Sequence, residues 1–412
     1  MIFENEKILA KFIQALGGTL WLVGGAVRDT FIGRPVKDRD FVITGINIDS
    51  LPFERIAGNQ FPVFLVKIGT ETVEIAMARS EKKDGVGHKG FEFFTDKSIT
   101  IEDDLKRRDL TINAMAINVL TREIVDPFYG KQDIIDGILR HINDSFTEDP
   151  LRVFRVARFS AELDFLVHKE TLAIMKRVIP EINTLPGERV FNEMMKALNS
   201  DNPENFFHTL LDVGGLDFFF PEIKDLIVPD KHDGTAFLHT MNLLKEGENI
   251  RQRFGLLVHD FGKGRTPKDK HPAHHGHDQL GIDPIKSFCD RLKVPNKLRD
   301  FGLLCATQHM KLKIFRDMKK KTLFKFLSNL PQESFDDLLQ VSAIDSKIRD
   351  IQRVGLDVEA DIRELKRFNT LIQEVFTSIT GKMLIAEGIE PNRFFGDKLF
   401  NRRLVEFKHR LK

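Results

Sequence analysis

The pattern of apolar residues changes character once along the chain, near Asp149, and that change limits the possible folds more than any other feature. Before it, helix and strand signals alternate. Ile8, Leu9, Phe12, Ile13 and Leu16 recur at helical spacing until Gly17-Gly18 stops the helix. Leu20-Trp21-Leu22-Val23 reads as a buried strand running into Gly24-Gly25, and Asp40-Phe41-Val42-Ile43 as a second. A third strand alternates through Val73, Ile75 and Met77, which places Glu74 on its opposite face. Mixed signals persist to about Arg140, and from Asp149 onward the spacing is helical. The expected fold class is therefore α+β: a head with a small mixed sheet and helices, then an all-helical body.

A chain of 412 residues is long enough for two to four domains with at least one well-buried core. No internal repeat or low-complexity segment divides it. Apolar runs fall far short of a bilayer span, and Met1 is followed by an acidic amphipathic stretch, so membrane insertion and secretion are not expected. Cys289 and Cys305 alone cannot form a disulfide framework or an all-cysteine zinc site, which suits a reducing cytoplasm. The net charge of +1 leaves a nucleic-acid partner open, because a local basic surface is what such a partner needs. Phenylalanine is abundant, 36 residues against one Tyr and one Trp, and is read as core packing rather than base stacking.

Asp38 and Asp40 open the second strand two residues apart, so both carboxylates face one side. Such a pair can hold Mg²⁺, which neutralises triphosphate charge and activates an attacking hydroxyl. Gly24-Gly25 lies one strand upstream, where main-chain N–H groups can approach phosphates, with Arg28 nearby at a helix start. Three further blocks follow: Arg107-Arg108-Asp109 through Ala116, Asp126-Pro127-Phe128-Tyr129-Gly130, and Glu148-Asp149-Pro150-Leu151-Arg152 through Phe159.

Together with Leu22 to Asp29 and Lys37 to Asp40, these blocks resemble the class II tRNA nucleotidyltransferases, the bacterial enzymes that add CCA to tRNA 3′ ends. The resemblance covers the first ~200 residues in ordered motifs. It implies a DNA-polymerase-beta-like head, a helical neck, body and tail, and synthesis without a nucleic-acid template. It further implies that Asp38 and Asp40 bind Mg²⁺, that Gly25, Arg28 and Arg108 contact the incoming nucleotide, and that Arg152 and Arg155 complete its pocket. The partners implied are tRNA, ATP and CTP.

The last block carries its own chemistry. Pro150 suits a first helical turn with Asp149 as a cap, and Asp149 and Arg152 lie three apart. A carboxylate accepts from the amino group common to cytosine and adenine, while a guanidinium donates to cytosine N3/O2 or adenine N1. Uracil and guanine would aim a carbonyl oxygen at the carboxylate. One acid and one arginine can thus select C and A.

The family also contains CC-adding enzymes, A-adding enzymes and poly(A) polymerases. The stretch from Ala78 to Phe91, with Lys82, Lys83, His88, Lys89 and three glycines, resembles the flexible loop that CC-adding members lack, which argues against CC-only activity. Lys37-Asp38-Arg39-Asp40-Phe41 stands where the polymerases carry a basic signature. A-only addition stays open, as does a non-catalytic nucleotide- or tRNA-binding role, against which the intact acidic and basic residues count.

In the body, His239, His259-Asp260, His274, His275 and His277, His309 and Asp345 follow one another on predicted helices, a set suited to a transition metal. Phe254 to Gly264, with an upstream His and a downstream Asp, resembles the HD phosphohydrolase superfamily over residues 232–345. The resemblance implies His239, His259, Asp260 and Asp345 as core ligands of Ni²⁺, Mn²⁺ or Co²⁺, with the later histidines unassigned, and phosphatase, 2′-nucleotidase and 2′,3′-cyclic phosphodiesterase activities. The expected divisions are a head over 1–145, a neck over 146–230, an HD domain over 231–350 and a helical tail over 351–412 that contacts tRNA. The basic run Lys311 to Lys325 is a second candidate for phosphate contact. The expected setting is cytoplasmic, as a monomer or homodimer.

Overall fold

In the computed structural model the described residues are 4–36, 38–48, 51, 55–56, 63–68, 71–83, 91–94, 96–231, 234–350 and 357–411. The chain forms two compact units, Met1–Pro221 and Glu222–Lys412.

The first unit opens with α1 (Glu4–Ala15), β1 (Thr19–Val23), α2 (Gly25–Ile32) and β2 (Asp40–Thr44). The sheet is completed by β3 (Arg55–Ile56), β4 (Val63–Ile68) and β5 (Glu71–Met77), then by β8 (Ala116–Asn118) and β9 (Ile124–Val125) later in the chain. Its seven strands run in the order β3-β4-β5-β2-β1-β8-β9. The pairing of β2 with β5 is parallel and the others are antiparallel.

The apolar run of β1 is continuous because both faces of the strand are buried. Leu20 and Leu22 join Phe41, Ile43, Phe64 and Ile75 beneath α1, whose Leu9, Ala10 and Ile13 pack there. Trp21 and Val23 face the other way, with Val42 and with Ile101 and Leu105 of α3 (Ile101–Lys106).

The expected loop after Ala78 is in part a hairpin. β6 (Ser80–Lys83) and β7 (Phe91–Phe94) pair antiparallel, Ser80 opposite Phe94 and Lys83 opposite Phe91. The run Phe91-Glu92-Phe93-Phe94 has strand propensity that the glycines and lysines beside it conceal. The centre of that segment, 84–90, lies outside the described residues.

After α4 (Gly130–Asp136) and the short pair β10 (Ile138–Leu139) and β11 (Leu166–Val167), the rest of the unit is helical: α5 (Leu151–Leu163), α6 (Lys169–Val178), α7 (Gly187–Leu198), α8 (Glu204–Val213) and α9 (Leu216–Phe219), with α10 (Pro221–Lys224) at the division. The largest fully buried side chains are phenylalanines, as expected from their number. Phe154, Phe206, Phe207 and Phe220 meet edge to face with centroids 5.1 to 6.2 Å apart.

The second unit is all-helical: α11 (Ala236–Leu244), α12 (Ile250–Val258), α13 (His277–Leu280), α14 (Ile282–Leu292), α15 (Asn296–Lys313), α16 (Lys320–Ser328), α17 (Gln332–Asp350), α18 (Val358–Ser378), α19 (Gly381–Ala386) and α20 (Phe395–Arg410). α15 packs against α12 and α17, which encloses the histidine cluster, and α18 packs against α20. Among the described residues no helix is long and apolar enough to cross a membrane.

Candidate active site and metal centre

In the first unit the sheet register assembles the acidic site. Asp40 stands opposite Val23 on one side and Glu74 on the other. Because β1 runs directly into Gly24-Gly25, pairing Val23 with Asp40 brings the glycine turn beside the carboxylate. Asp38 and Asp40 line a cavity of about 1510 Å³ together with Gly24, Gly25, Arg28, Arg108, Asp149, Arg152 and Arg155. Every nucleotide-site residue expected from the sequence therefore faces one space. Crowding by the surrounding protein raises the Asp40 carboxyl above its ordinary value against the pull of Arg108, and the Glu74 and Asp38 carboxylates add to the rise. Gathered carboxylates of this kind fit a hard, oxygen-bound divalent cation such as Mg²⁺, which would relieve their mutual repulsion.

Gly24 has φ of +67°, a conformation that favours glycine, and the tip of the Arg108 side chain comes close enough that a Cβ there would lie 2.9 Å from Nη1. Arg108 is steered by the buried Asp104, to which Nη2 donates at 3.0 Å, and Arg107 donates to the same carboxylate at 2.6 Å. These two guanidinium groups hold Asp104 below the ordinary value in spite of its burial. Arg28 is also buried; it donates to Asn113 Oδ1 at 2.9 Å and to Asp29 Oδ1 at 2.8 and 2.9 Å. Both arginines thus enter the cavity already oriented.

Asp149 precedes α5, as its reading as a cap implies. Its backbone is extended, φ −119° and ψ 105°, because Pro150 begins the helical turn, and its carboxylate accepts from the Leu151 amide at 3.0 Å. Arg189 Nη2 approaches the same carboxylate at 3.6 Å. Arg152 donates to two main-chain carbonyls, Ser145 O and Arg107 O, each at 2.6 Å. Arg155 Nε donates to Asp109 Oδ2 at 2.7 Å. Asp109 is buried, yet Arg155 holds its carboxyl well below the ordinary range, helped by the Asn113 amide.

In the second unit His239 projects from α11, His309 from α15 and Asp345 from α17. The His259-Asp260 pair falls just past the end of α12, where the helix gives way to a tight turn, rather than on the expected helix. All five of these side chains are fully buried. His239 Nε2 lies 3.0 Å from Asp345 Oδ1, His259 Nε2 3.2 Å from Asp260 Oδ2, and His277 Nε2 3.1 Å from Asp260 Oδ1. Three sets of donors, His239-His259-Asp260, His259-His309-Asp345 and Asp260-His277-His309, each fall within 4.8 Å.

The ring orientations decide what this cluster can hold. Nδ1 of His259 contacts Leu256 O at 2.8 Å, that of His277 contacts His274 O at 2.9 Å, and that of His309 contacts Cys305 O at 2.9 Å. A carbonyl oxygen only accepts, so Nδ1 carries the proton in the neutral form of each ring, which leaves Nε2 as the lone-pair atom facing inward. Burial, with His259 nearby, holds His309 well below the ordinary imidazole value. Converging imidazole lone pairs and carboxylates fit a transition-metal ion.

The later histidines are also sorted. His277 joins the cluster, held there because Gly262 passes so close that a Cβ would lie 1.9 Å from His277 O. His274 instead bonds Thr266 Oγ1 at 2.6 Å and Pro229 O at 2.7 Å, and His275 is exposed. Lys263 Nζ reaches Asp230 at 2.5 Å and Asp260 at 2.7 Å, and Lys313 pairs with Asp345. Both lysines line a cavity of about 610 Å³ with apolar walls from Leu312, Leu339, Ile362 and Leu365. Asp104 and Arg189 carry no signal in the sequence, since nothing in their spacing marks them, whereas Asn113 and Lys263 fall within the motif blocks without a role of their own and Lys313 falls in the basic run read as a phosphate contact. His309 belongs to the ordered histidine set of the sequence, where spacing alone gives it no role.

The family description "Poly A polymerase head domain" matches residues 20–140, and "Probable RNA and SrmB- binding site of polymerase A" matches residues 164–227. The chain is 38% identical over 416 residues to the "Multifunctional CCA protein" of Haemophilus influenzae (strain PittGG), covering 94% of this chain and 97% of that one. Its fold is similar to that of a Bacillus stearothermophilus CCA-adding enzyme solved in complex with CTP, with a TM-score of 0.69, 22% identity and coverage of 99% and 94% of the two chains. The Thermotoga maritima CCA-adding enzyme complexed with tRNA gives a TM-score of 0.65 at 19% identity, with coverage of 98% and 94%.

Proposed function

The chain belongs to the CCA-adding tRNA nucleotidyltransferases of the multifunctional type, and on that premise we propose that its first unit adds C, C and A to tRNA 3′ ends from CTP and ATP. The observation that carries this reading is the single cavity in which Asp38 and Asp40 meet Arg28, Arg108, Asp149 and Arg152. Asp38 and Asp40 are the residues to hold Mg²⁺, which when bound neutralises triphosphate charge and favours ionisation of the tRNA 3′-hydroxyl. Arg28 and Arg108, braced by Asn113 and Asp104, hold the triphosphate, and the open backbone at Gly24-Gly25 lets it approach. Asp149 accepts from the exocyclic amino group of C or A, and Arg152 donates to the ring. Arg152 keeps one orientation because two main-chain carbonyls fix it, so the protein itself takes the place of a template.

The second unit is read as a metal-dependent phosphohydrolase acting on small phosphate esters such as 2′-nucleotides and 2′,3′-cyclic nucleotides. The inward-facing imidazoles of His259, His277 and His309 support this, with Ni²⁺, or Mn²⁺ or Co²⁺, as the ion. Lys263 and Lys313 supply positive charge for a phosphate, and the apolar wall suits a nucleoside. The chain divides into a head (1–145), a neck (146–230), an HD domain (231–350) and a tail (351–412) that contacts tRNA, with the cytoplasm as the setting of a monomer or homodimer.

The test is separation of function. Asp38→Ala or Asp40→Ala should abolish nucleotide addition and leave release of phosphate from 2′-AMP intact, and His259→Ala should do the reverse. Loss of both activities in either variant would contradict the assignment of one chemistry to each unit.

A further inference from the structure

We propose that Glu6 and Arg39 are a positioning pair that fixes the Asp38–Asp40 segment for cation binding, an inference that rests on those two aspartates holding the metal. Arg39 lies between the two acids in sequence but does not line their cavity. It turns to the opposite side of the chain, where α1 packs beneath the sheet, and its Nη1 lies 2.8 Å from Glu6 Oε1. The two side chains are 12% and 3% exposed. Glu6 is the one charged residue among the buried positions of α1, beside Leu9, Ala10 and Ile13.

The segment from Gly33 to Arg39 has no regular secondary structure among its described residues. Main-chain pairing begins only at Asp40, so Asp38 takes its direction from its neighbours. An ion pair locking Arg39 to α1 sets the backbone on both sides of it, and Asp38 and Asp40 therefore leave the opposite side together. A buried ion pair is poor evidence of stability, since apolar side chains of like volume commonly replace one without loss. If the pair serves stability alone, the double variant Glu6→Leu/Arg39→Met keeps its activity. If it serves position, the fold survives and cation binding suffers.

Trp21 provides a direct reading, because it is the only tryptophan and it pairs with Val42, two residues from Asp40. Tb³⁺, a hard oxygen-seeking ion, can be titrated into the full-length protein with luminescence excited through Trp21 and with Mg²⁺ as competitor. The double variant should unfold in urea at nearly the wild-type midpoint. Its Tb³⁺ affinity should fall about tenfold and its kcat for CMP addition about ten- to hundredfold, with KM for CTP little changed, because misplaced catalytic groups cost rate before they cost binding. Should the double variant fail to fold, Glu6→Gln removes only the charge, and about a threefold loss of Tb³⁺ affinity is expected from it. Wild-type Tb³⁺ affinity and kcat in whichever of these variants folds would overturn the proposal. Asp40→Ala serves as the control: if it retains Tb³⁺ binding and addition, the metal reading itself fails, whatever the pair does.

Discussion

Nε2 of His277 lies 3.3 Å from Nε2 of His309, although each ring already holds a main-chain carbonyl at its Nδ1. In their neutral forms two imidazoles so tied would present lone pair to lone pair, and a shared cation, or a proton between them, resolves the conflict. A single carboxylate oxygen, Asp260 Oδ1, stands 3.1 and 3.8 Å from the same two atoms.

His277→Ala and His309→Ala should therefore each lower bound Ni²⁺ or Mn²⁺, with a loss of at least tenfold in metal affinity of the purified protein, since each removes one aimed ligand. His274→Ala should leave metal content unchanged, because His274 is engaged with Thr266 and Pro229. Metal analysis after dialysis checks all three. Equal effects at His274 and His277 would contradict the ligand assignment.

Arg152→Ala and Asp149→Ala should relax base choice. Loss of a charged, partly buried hydrogen bond costs about 1–3 kcal/mol, which corresponds to roughly ten- to hundredfold in discrimination. UMP and GMP incorporation, measured beside CMP and AMP incorporation in each variant, gives the result. An unchanged preference would mean that other side chains read the base.

Asp109→Asn should destabilise the first unit by about 1–3 kcal/mol, the lower part being favoured because Arg155 is a third exposed and partly screened. The Asp109 carboxyl lies below its ordinary 3.8 in the folded chain. Its contribution is therefore fully present above that value and is lost as pH falls from there toward the lower folded value. Urea midpoints of wild type and variant should differ by a constant amount from pH 8 to about 5, and the gap should close only in more acidic solution. A gap that opened on acidification would reverse the sign and refute the pairing.

Much of the head was legible because its signals are local. Leu20 to Val23 and Asp40 to Ile43 announce strands buried on both faces, and Gly24-Gly25 and the two aspartates fall at strand ends where chemistry collects. What pairs these strands is not local. Glu74 becomes the neighbour of Asp40 only through the parallel register of β2 and β5, and Glu6 meets Arg39 only because α1 folds beneath the sheet. In the body, His274 and His277 share one glycine-interrupted stretch, and spacing cannot tell them apart. Close passage of Gly262 against His277 and the capture of His274 by Pro229 O make that distinction. Asp149 was legible as a cap for a local reason: Pro150 keeps the preceding residue extended, and the carboxylate accepts from the Leu151 amide.

The central claim, that the first unit builds the whole CCA end using protein side chains as its template, is tested most directly by one reaction. Purified protein is incubated with tRNA ending at the discriminator base, and separately with tRNA ending in CC, with Mg²⁺, CTP and ATP together and each alone, and the 3′ ends are sequenced. The account requires C and then CC with CTP alone, and CCA and no more with both nucleotides. Addition of A only to tRNA already ending in CC, with no incorporation of C, would contradict it.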